Sequence, residues 1–190
     1  FFGVGRTYLY YKGQAEFMFG HGLSYSLWDV QWDEGTSNVD LKLQNESESI
    51  SLKVMISNVG PYAGKQTILL FWRPTESSST SMKGLQKKLI GFAGTTTILD
   101  VGESESVELD VSWTDFSFWD ARQKRFLVSP GNYTLELHVA NSQILERNII
   151  VGSSKTVQTV DEESVGWDGK AMTASIVQNL QMAMRLPWRN

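Results

Sequence analysis

The chain has 190 residues, of which 41% are hydrophobic and 12% aromatic, and it carries a formal net charge of −4. This composition excludes a disordered chain, and 17 basic residues against 21 acidic ones exclude the basic footprint of a nucleic-acid-binding protein. Because there is no Cys and there are only two His, the sequence offers no disulfide framework and no typical transition-metal site, and we expect no cofactor.

An aromatic-rich extension over residues 1–26 precedes the first predicted strand. Six aromatic residues and four glycines fall in its last 22 positions, and two of the glycines flank His21. Glycines at such positions allow a tight turn or a close approach to another surface. Phe17, Phe19 and Tyr25 carry large apolar area with little rotamer entropy to lose, which is typical of buried anchors. The pattern predicts a docking segment.

Residues 27–151 carry the strand signals. Apolar and polar residues alternate with a period of two near residues 28–32, 50–56 and 107–113, which is typical of half-buried strands. Further short strands follow with no helix between them. The spacing predicts an all-β fold, an antiparallel β-sandwich of the immunoglobulin or fibronectin-III-like kind. Tyr133, after a Pro-Gly turn, predicts a tyrosine corner.

One predicted strand, Ile68–Trp72, is apolar on both faces. One face of such a strand points away from the core of a two-layer sandwich, so we expect it to be covered by something outside the sandwich. The run is also the longest apolar stretch of the chain, and it is far shorter than the roughly 20 residues of a membrane span. The sequence therefore predicts no membrane partner.

The sequence predicts a linker over residues 152–170. An amphipathic helix is predicted over residues 171–186 and ends before Pro187. The apolar positions of this helix, each four residues after the last, are Met172, Ile176, Leu180 and Met184. Because an isolated helix of about 15 residues is marginal in water, we expect it to pack on the doubly apolar strand or on another chain.

Two triplets, which begin at Asn45 and Asn132, match the N-glycosylation sequon. They favour glycosylation at both sites and a secreted or secretory-pathway protein. The sequence begins at Phe1, without Met or a signal-peptide pattern, so we expect a fragment or a processed subunit.

The candidate chemical groups are few. We expect His21 to serve a turn and His138, at an outward strand position, to have no chemical role. Four tryptophans could form a carbohydrate-binding platform, although core packing is the more common fate of Trp in strands. They are Trp28, Trp32, Trp72 and Trp119.

Several short motifs occur in a specific order along the chain. They are Gly5-Arg6-Thr7-Tyr8, Phe19-Gly20-His21-Gly22-Leu23-Ser24-Tyr25, Asn58-Val59-Gly60, Lys88-Leu89-Ile90-Gly91-Phe92, Gly102-Glu103-Ser104 and Pro130-Gly131-Asn132-Tyr133. Over about residues 5–151 they resemble the C-terminal fibronectin-III-like domain of glycoside hydrolase family 3, the β-xylosidases and β-glucosidases, with its leading segment. Val101 stands where the family's turn has Pro.

The resemblance implies a non-catalytic scaffold domain. In this family the nucleophilic Asp and the acid/base Glu belong to two other domains, so we expect no catalytic residue here. Because Asp115/Asp120 lie in a predicted turn and Asp29/Asp33 on an outward strand face, we interpret both pairs as solvated carboxylates. The parent enzyme would act on β-linked plant or microbial polysaccharides or oligosaccharides. The expected interface with the catalytic domains consists of Arg6, Tyr8, Phe17, Phe19, His21 and Tyr25.

Two alternatives stay open. The first is an independent carbohydrate-binding module, for which carbohydrate would be the partner. The second is a secreted protein-interaction domain or decoy that kept the sandwich after losing the enzyme.

Overall fold

The computed structural model describes residues 5–33, 41–75, 82, 84–120, 123–139, 144–152 and 158–159. The helix predicted over residues 171–186 lies outside these ranges, as does most of the predicted linker. Among the described residues, no helix combines the length and the apolar character that crossing a membrane requires.

The described residues form short strands, a helical turn and a 3₁₀ turn after β6. In chain order the elements are α1 (Thr7–Tyr10), β1 (Trp28–Trp32), β2 (Leu41–Leu43), β3 (Ser49–Asn58), β4 (Thr67–Pro74), β5 (Lys88–Gly94), β6 (Ser104–Ser112), the 3₁₀ turn (Trp113–Phe116), β7 (Ser117–Asp120), β8 (Arg125–Val128), β9 (Gly131–His138), β10 (Ile144–Val151) and β11 (Gln158–Thr159).

The strands form two principal sheets. One has three strands in the order β1-β3-β6, and the other has five in the order β2-β10-β9-β4-β5. A small ribbon of β11, β8 and β7 continues from the 3₁₀ turn. Among the strands that the structure describes, the pairings are antiparallel except that of β2 with β10. The prediction of an all-β fold is confirmed.

The core lies between the two sheets and follows the period-two alternation. Leu52, Val54 and Ile56 of β3 are fully buried, whereas the residues between them are exposed. On the opposite sheet, Trp72 stacks on Phe116 with ring centroids 5.9 Å apart, and Tyr133 meets both rings edge-on. The Tyr133 hydroxyl donates to the Ser129 carbonyl, so the predicted tyrosine corner is confirmed. Burial raises the pKa of Tyr133.

Strand β4 is buried on both sides. Ile68, Leu70 and Trp72 point into the core. The pairing with β5 shifts register between Leu70 and Phe71, which forms a bulge. Phe71 faces outward and is nevertheless fully buried, so the predicted cover exists. The sequence predicts a cover from outside the sandwich and offers this strand as one of two possible surfaces for the C-terminal helix. In the structure, the N-terminal extension of the same chain covers Phe71.

Candidate docking site

The N-terminal extension, residues 5–26, lies across the outer face of the five-stranded sheet, and we call it the strap. Tyr8, in α1, stacks on Phe19 with ring centroids 4.2 Å apart. Both rings meet Phe71 edge-on, at 5.9 and 6.2 Å. Gly20 has φ of +84°, and a Cβ there would lie 2.3 Å from Leu69 Cδ1. Glycine therefore allows both the backbone conformation and the close approach of the strap to the sheet.

Two hydrogen bonds hold the strap beside the start of β5. The Gln86 N–H donates to the Leu9 carbonyl at 2.6 Å. The Leu89 N–H, next to the bulge, donates to the Tyr8 hydroxyl at 3.3 Å. The strap is thus attached by backbone groups of residues 86–89 as well as by its aromatic rings.

Other side chains of the strap remain in solvent. Phe17 is 74% exposed, and Leu23 and Tyr25 are each 94% exposed. Arg6 and His21 are also exposed, and the His21 ring lies 5.0 Å from that of Phe17. The residues predicted as an interface therefore divide into two groups. The two rings on Phe71 contact this chain's own sheet, whereas the other four are available to a partner.

A charged cluster lies beside Phe71 on the same outer face. Glu136 Oε1 accepts a hydrogen bond from Arg73 Nε at 2.6 Å, and Arg73 Nη2 lies 3.3 Å from Glu146 Oε1. Glu136 Oε2 lies 3.1 Å from His138 Nε2 and 3.6 Å from Lys87 Nζ. Lys87 Nζ lies 3.2 Å from the same His138 nitrogen. Three strands, β4, β9 and β10, and the residue before β5 contribute to this cluster.

Burial and the neighbouring charges shift the pKa of Glu136 in opposite directions. Burial raises the pKa of this carboxyl, but hydrogen bonds from His138 and Arg73 and the positive charge of Lys87 outweigh it and lower the pKa to about 2. Glu136 is therefore ionised under ordinary conditions. The outward position predicted for His138 is correct, but its side chain is buried, with its ring 4.7 Å from that of Phe71.

Asn58 joins three loops at one end of the sandwich. Its Oδ1 accepts hydrogen bonds from Ser26 Oγ at 2.6 Å and from the Gly60 N–H at 3.1 Å. Its Nδ2 donates to the carbonyls of Tyr62 and Leu99, at 2.8 and 2.9 Å. Because both ends of this buried amide are satisfied, the end of the strap is fixed against the two loops.

These three loops expose apolar side chains at the same end of the sandwich. Each is between 56% and 94% exposed. We call the group the end patch: Tyr25, Leu27, Val59, Tyr62, Ile98 and Val101. Sequence reasoning found the Asn58 turn but missed the patch, because its members come from segments far apart in sequence. Exposed apolar residues that are grouped in this way are typical of interaction surfaces.

The four tryptophans do not form a common platform. Trp28 and Trp72 are buried in the core and Trp32 is half-buried. Trp119 is 49% exposed and packs edge-on against Phe126 at 5.2 Å. The stacking surface considered for carbohydrate is therefore not assembled from these four rings.

The interpretation of Asp115 as a solvated carboxylate is wrong. Asp115 is buried, and its Oδ2 accepts hydrogen bonds from the Ser112 N–H and hydroxyl at 2.8 and 2.9 Å. It caps the 3₁₀ turn, and its burial raises the pKa of the carboxyl. Among the described residues, no group of three or more His, Cys, Asp or Glu side chains is placed to hold a metal ion.

Both sequon asparagines are exposed. Asn45 Oδ1 accepts hydrogen bonds from the Ser47 N–H and hydroxyl, at 3.1 and 2.6 Å, within a turn. Asn132 lies near the start of β9, next to the buried Tyr133. Glycosylation at these residues stays a prediction.

Comparison with known proteins identifies the relatives of this fold. Residues 66–143 match the family model of the fibronectin type III-like domain. The chain is 27% identical over 157 residues to thermostable beta-glucosidase B of Acetivibrio thermocellus, covering 82% of this chain and 20% of that protein. It is 31% identical over 168 residues to probable beta-glucosidase H of Aspergillus clavatus, covering 87% and 18%.

The fold has solved counterparts. The crystal structure of beta-glucosidase from Listeria innocua matches with a TM-score of 0.61 and 23% identity, over 74% of this chain and 18% of that one. At this identity the likeness shows the fold alone. The chain spans about a fifth of the length of the curated relatives it matches. The resemblance to the fibronectin-III-like domain of family 3 glycosidases is confirmed.

Proposed function

We propose that this chain, a fibronectin type III-like domain related to a segment of β-glucosidases, is a non-catalytic scaffold that docks on the catalytic domains of a β-glycosidase. The observation that carries the proposal is the end patch together with the exposed Phe17 and Leu23 of the strap. Each of these side chains is at least 56% exposed, and exposed apolar groups that gather at one end of a fold are typical of an interaction site. The relatives extend well beyond the matched segment, so a large body of protein is available as the partner.

Preorganisation supports the same proposal. The strap cannot swing freely, because Tyr8 and Phe19 hold its middle on the sheet and Asn58 holds its end. An interface whose residues are already fixed loses little conformational entropy on binding. Such a scaffold would act on catalysis indirectly, by fixing the geometry of neighbouring loops of the enzyme.

A chimera tests the proposal. The segment of Aspergillus clavatus beta-glucosidase H that aligns with this chain would be replaced by this chain, and hydrolysis of an aryl β-glucoside and the melting temperature would be measured. We expect the chimera to hydrolyse the substrate and the isolated chain not to. Tyr25→Ala combined with Tyr62→Ala should weaken docking by about 1 to 2 kcal/mol, seen as a lower melting temperature of the chimera only.

Trp119→Ala is the matched control. Trp119 is an exposed aromatic in β7, which follows the end of β6 opposite to the Asn58 loops. Since β3 and β6 pair over nine residues, the two ends of this sheet lie about 27 Å apart. Equal effects of the control and the end-patch variants would contradict the proposal. Glycan binding by the isolated chain would favour the carbohydrate-binding alternative.

We also propose that the protein is secreted and glycosylated, on the basis of its two exposed sequons. Expression through a eukaryotic secretory pathway, with Asn45→Gln and Asn132→Gln as single variants, tests this. Each substitution at a used site should remove one glycan mass. An unglycosylated product in that host would contradict the proposal.

A further inference from the structure

The loop between β5 and β6 displays an apolar side chain, Ile98, on a hydrogen-bonded frame. Ile98 is 63% exposed. The two residues before it are held by the carboxylate of Glu105, whose oxygens accept hydrogen bonds from the N–H and hydroxyl groups of Thr96 and Thr97 at 2.8 to 3.4 Å. The backbone that leads to Ile98 is therefore fixed to the start of β6.

The residue after Ile98 attaches the loop to the end of the sandwich. Leu99 is buried, and it exchanges two backbone hydrogen bonds with Gly64, at 2.8 and 3.1 Å. Its carbonyl also accepts a hydrogen bond from Asn58 Nδ2 at 2.9 Å. Ile98 is thus held from both sides. An exposed apolar side chain on such a frame loses little conformational entropy when a partner buries it, which favours a large contribution to binding.

An open depression of about 490 Å³ lies against the same loop, and Glu103 and Glu105 contribute to its lining. Glu103 Oε2 accepts a hydrogen bond from the Asp100 N–H at 2.8 Å, within the turn that leads into β6. Lys65 also reaches the loop, where its ammonium donates to the Thr96 carbonyl. Three carboxylates and one ammonium therefore lie at this side of Ile98, and the charge there favours a positive partner group over a negative one.

We propose that Ile98 is the anchor of the docking surface, and that the partner surface it meets is apolar and edged by a Lys or Arg side chain. The basic side chain enters the depression beside Glu103 and Glu105. This inference rests on the proposed function, because it specifies which part of the end patch dominates docking. The apolar contact provides most of the affinity, whereas the carboxylates select the charge of the partner and make docking dependent on salt.

Ile98→Ala in the chimera with beta-glucosidase H tests the anchor. Because Ile98 is exposed in the isolated chain, the melting temperature of that chain should change by less than about 1 °C. The melting temperature of the chimera should fall by about 2 to 4 °C. Ile150→Ala is the matched control, since Ile150 is 43% exposed and lies at the opposite end of the five-stranded sheet. It should shift the chimera no more than it shifts the isolated chain.

Glu103→Gln tests the charge of the depression. A Gln side chain can still accept from the Asp100 N–H, so the turn is kept while the charge is removed. Raising NaCl from about 0.05 M to about 0.5 M should lower the melting temperature of the parent chimera relative to that of the isolated chain. Glu103→Gln should reduce this salt dependence. Glu108→Gln is the matched control, because Glu108 is also exposed on β6 and pairs with Lys53 instead.

The proposal is overturned if Ile98→Ala shifts the chimera no more than Ile150→Ala does. It is also overturned if Glu103→Gln keeps the full salt dependence of the parent, or if Glu108→Gln reduces it equally. These failures leave docking itself intact as long as Tyr25→Ala combined with Tyr62→Ala still lowers the melting temperature of the chimera alone. If no end-patch variant affects the chimera, the docking proposal fails as well.

Discussion

The outer faces of the two sheets follow the same alternation but differ in what lies on them. On the three-stranded sheet, Lys53 and Glu108 pair across neighbouring strands at 3.0 Å, with both side chains more than half exposed. On the five-stranded sheet, Arg73 and Glu136 pair at 2.6 Å, and Glu136 is 10% exposed. The strap lies on the second face. Two ion pairs on the outer faces of one fold therefore differ in burial, and the buried carboxylate lies on the face that also carries the strap.

Charged side chains contribute differently to stability on the two faces. Exposed ion pairs add little, because water and salt screen them and the long side chains lose entropy. A carboxylate surrounded by cations in a covered position is different, since removing it leaves the cations without compensation.

The largest loss of stability is expected at the centre of the covered face, which is the outer face of the five-stranded sheet beneath the strap; the open face is the outer face of the three-stranded sheet. Phe71→Ala removes a fully buried ring beneath Tyr8 and Phe19, and should lower the free energy of unfolding by about 3 to 5 kcal/mol. Met55→Ala, on the open face, should change it by less than about 0.5 kcal/mol. Urea denaturation measures both. Similar losses for the two variants would show that the strap does not cover Phe71 in solution.

Glu136→Gln should be the next most damaging change. It leaves Arg73, Lys87 and His138 without their shared carboxylate, and we expect a loss of about 2 to 3 kcal/mol, because one side of the cluster remains partly solvated. Glu108→Gln is the matched variant on the open face and should leave the unfolding curve nearly unchanged. If Glu108→Gln lowers the free energy of unfolding as much as Glu136→Gln does, burial does not determine how much these carboxylates contribute.

Acid titration should reveal the same carboxylate. The pKa of Glu136 is about 2 in the folded protein, against an ordinary value of 4.5. A depressed carboxyl contributes stability that is complete above the ordinary value and is lost as the pH falls towards 2. Stability of the parent should therefore decline through this window more steeply than that of Glu136→Gln. Parallel curves would mean that the native environment does not favour the ionised form.

The smallest change in stability is expected to distinguish the strap residues that contact Phe71 from those that are exposed to solvent. Phe19→Ala removes a half-exposed ring that contacts Phe71, and should cost about 1 kcal/mol in the isolated chain. Tyr25→Ala, 94% exposed, should stay within about 0.5 kcal/mol of the parent. Thermal unfolding compares the two. If Tyr25→Ala lowered the free energy of unfolding more than Phe19→Ala, the Tyr25 ring would be packed in solution, in disagreement with its exposed position in the structure.

Part of the docking site could be predicted from the sequence. The aromatic residues and glycines of the extension identified it as a segment that must lie on something, and Gly20 does lie against Leu69. The target surface could not be predicted, because no local pattern in the extension specifies which sheet it covers. The same holds for Asp115, where a turn position suggested solvent but the 3₁₀ turn places the carboxylate inside.

The sequence by itself determined the all-β fold, the core parity of strands such as β3 and β6, and the tyrosine corner of Tyr133. Each depends on residues a few positions apart, where the pleat of a strand or a short turn dictates which side chains point inward. Only the tertiary structure decided that Glu136 and His138 are covered, that the charged cluster forms, and that loops meet at Asn58. These contacts join segments that are distant in sequence. The alternation of apolar and polar residues indicates which face of a strand a side chain occupies, but not what packs against that face.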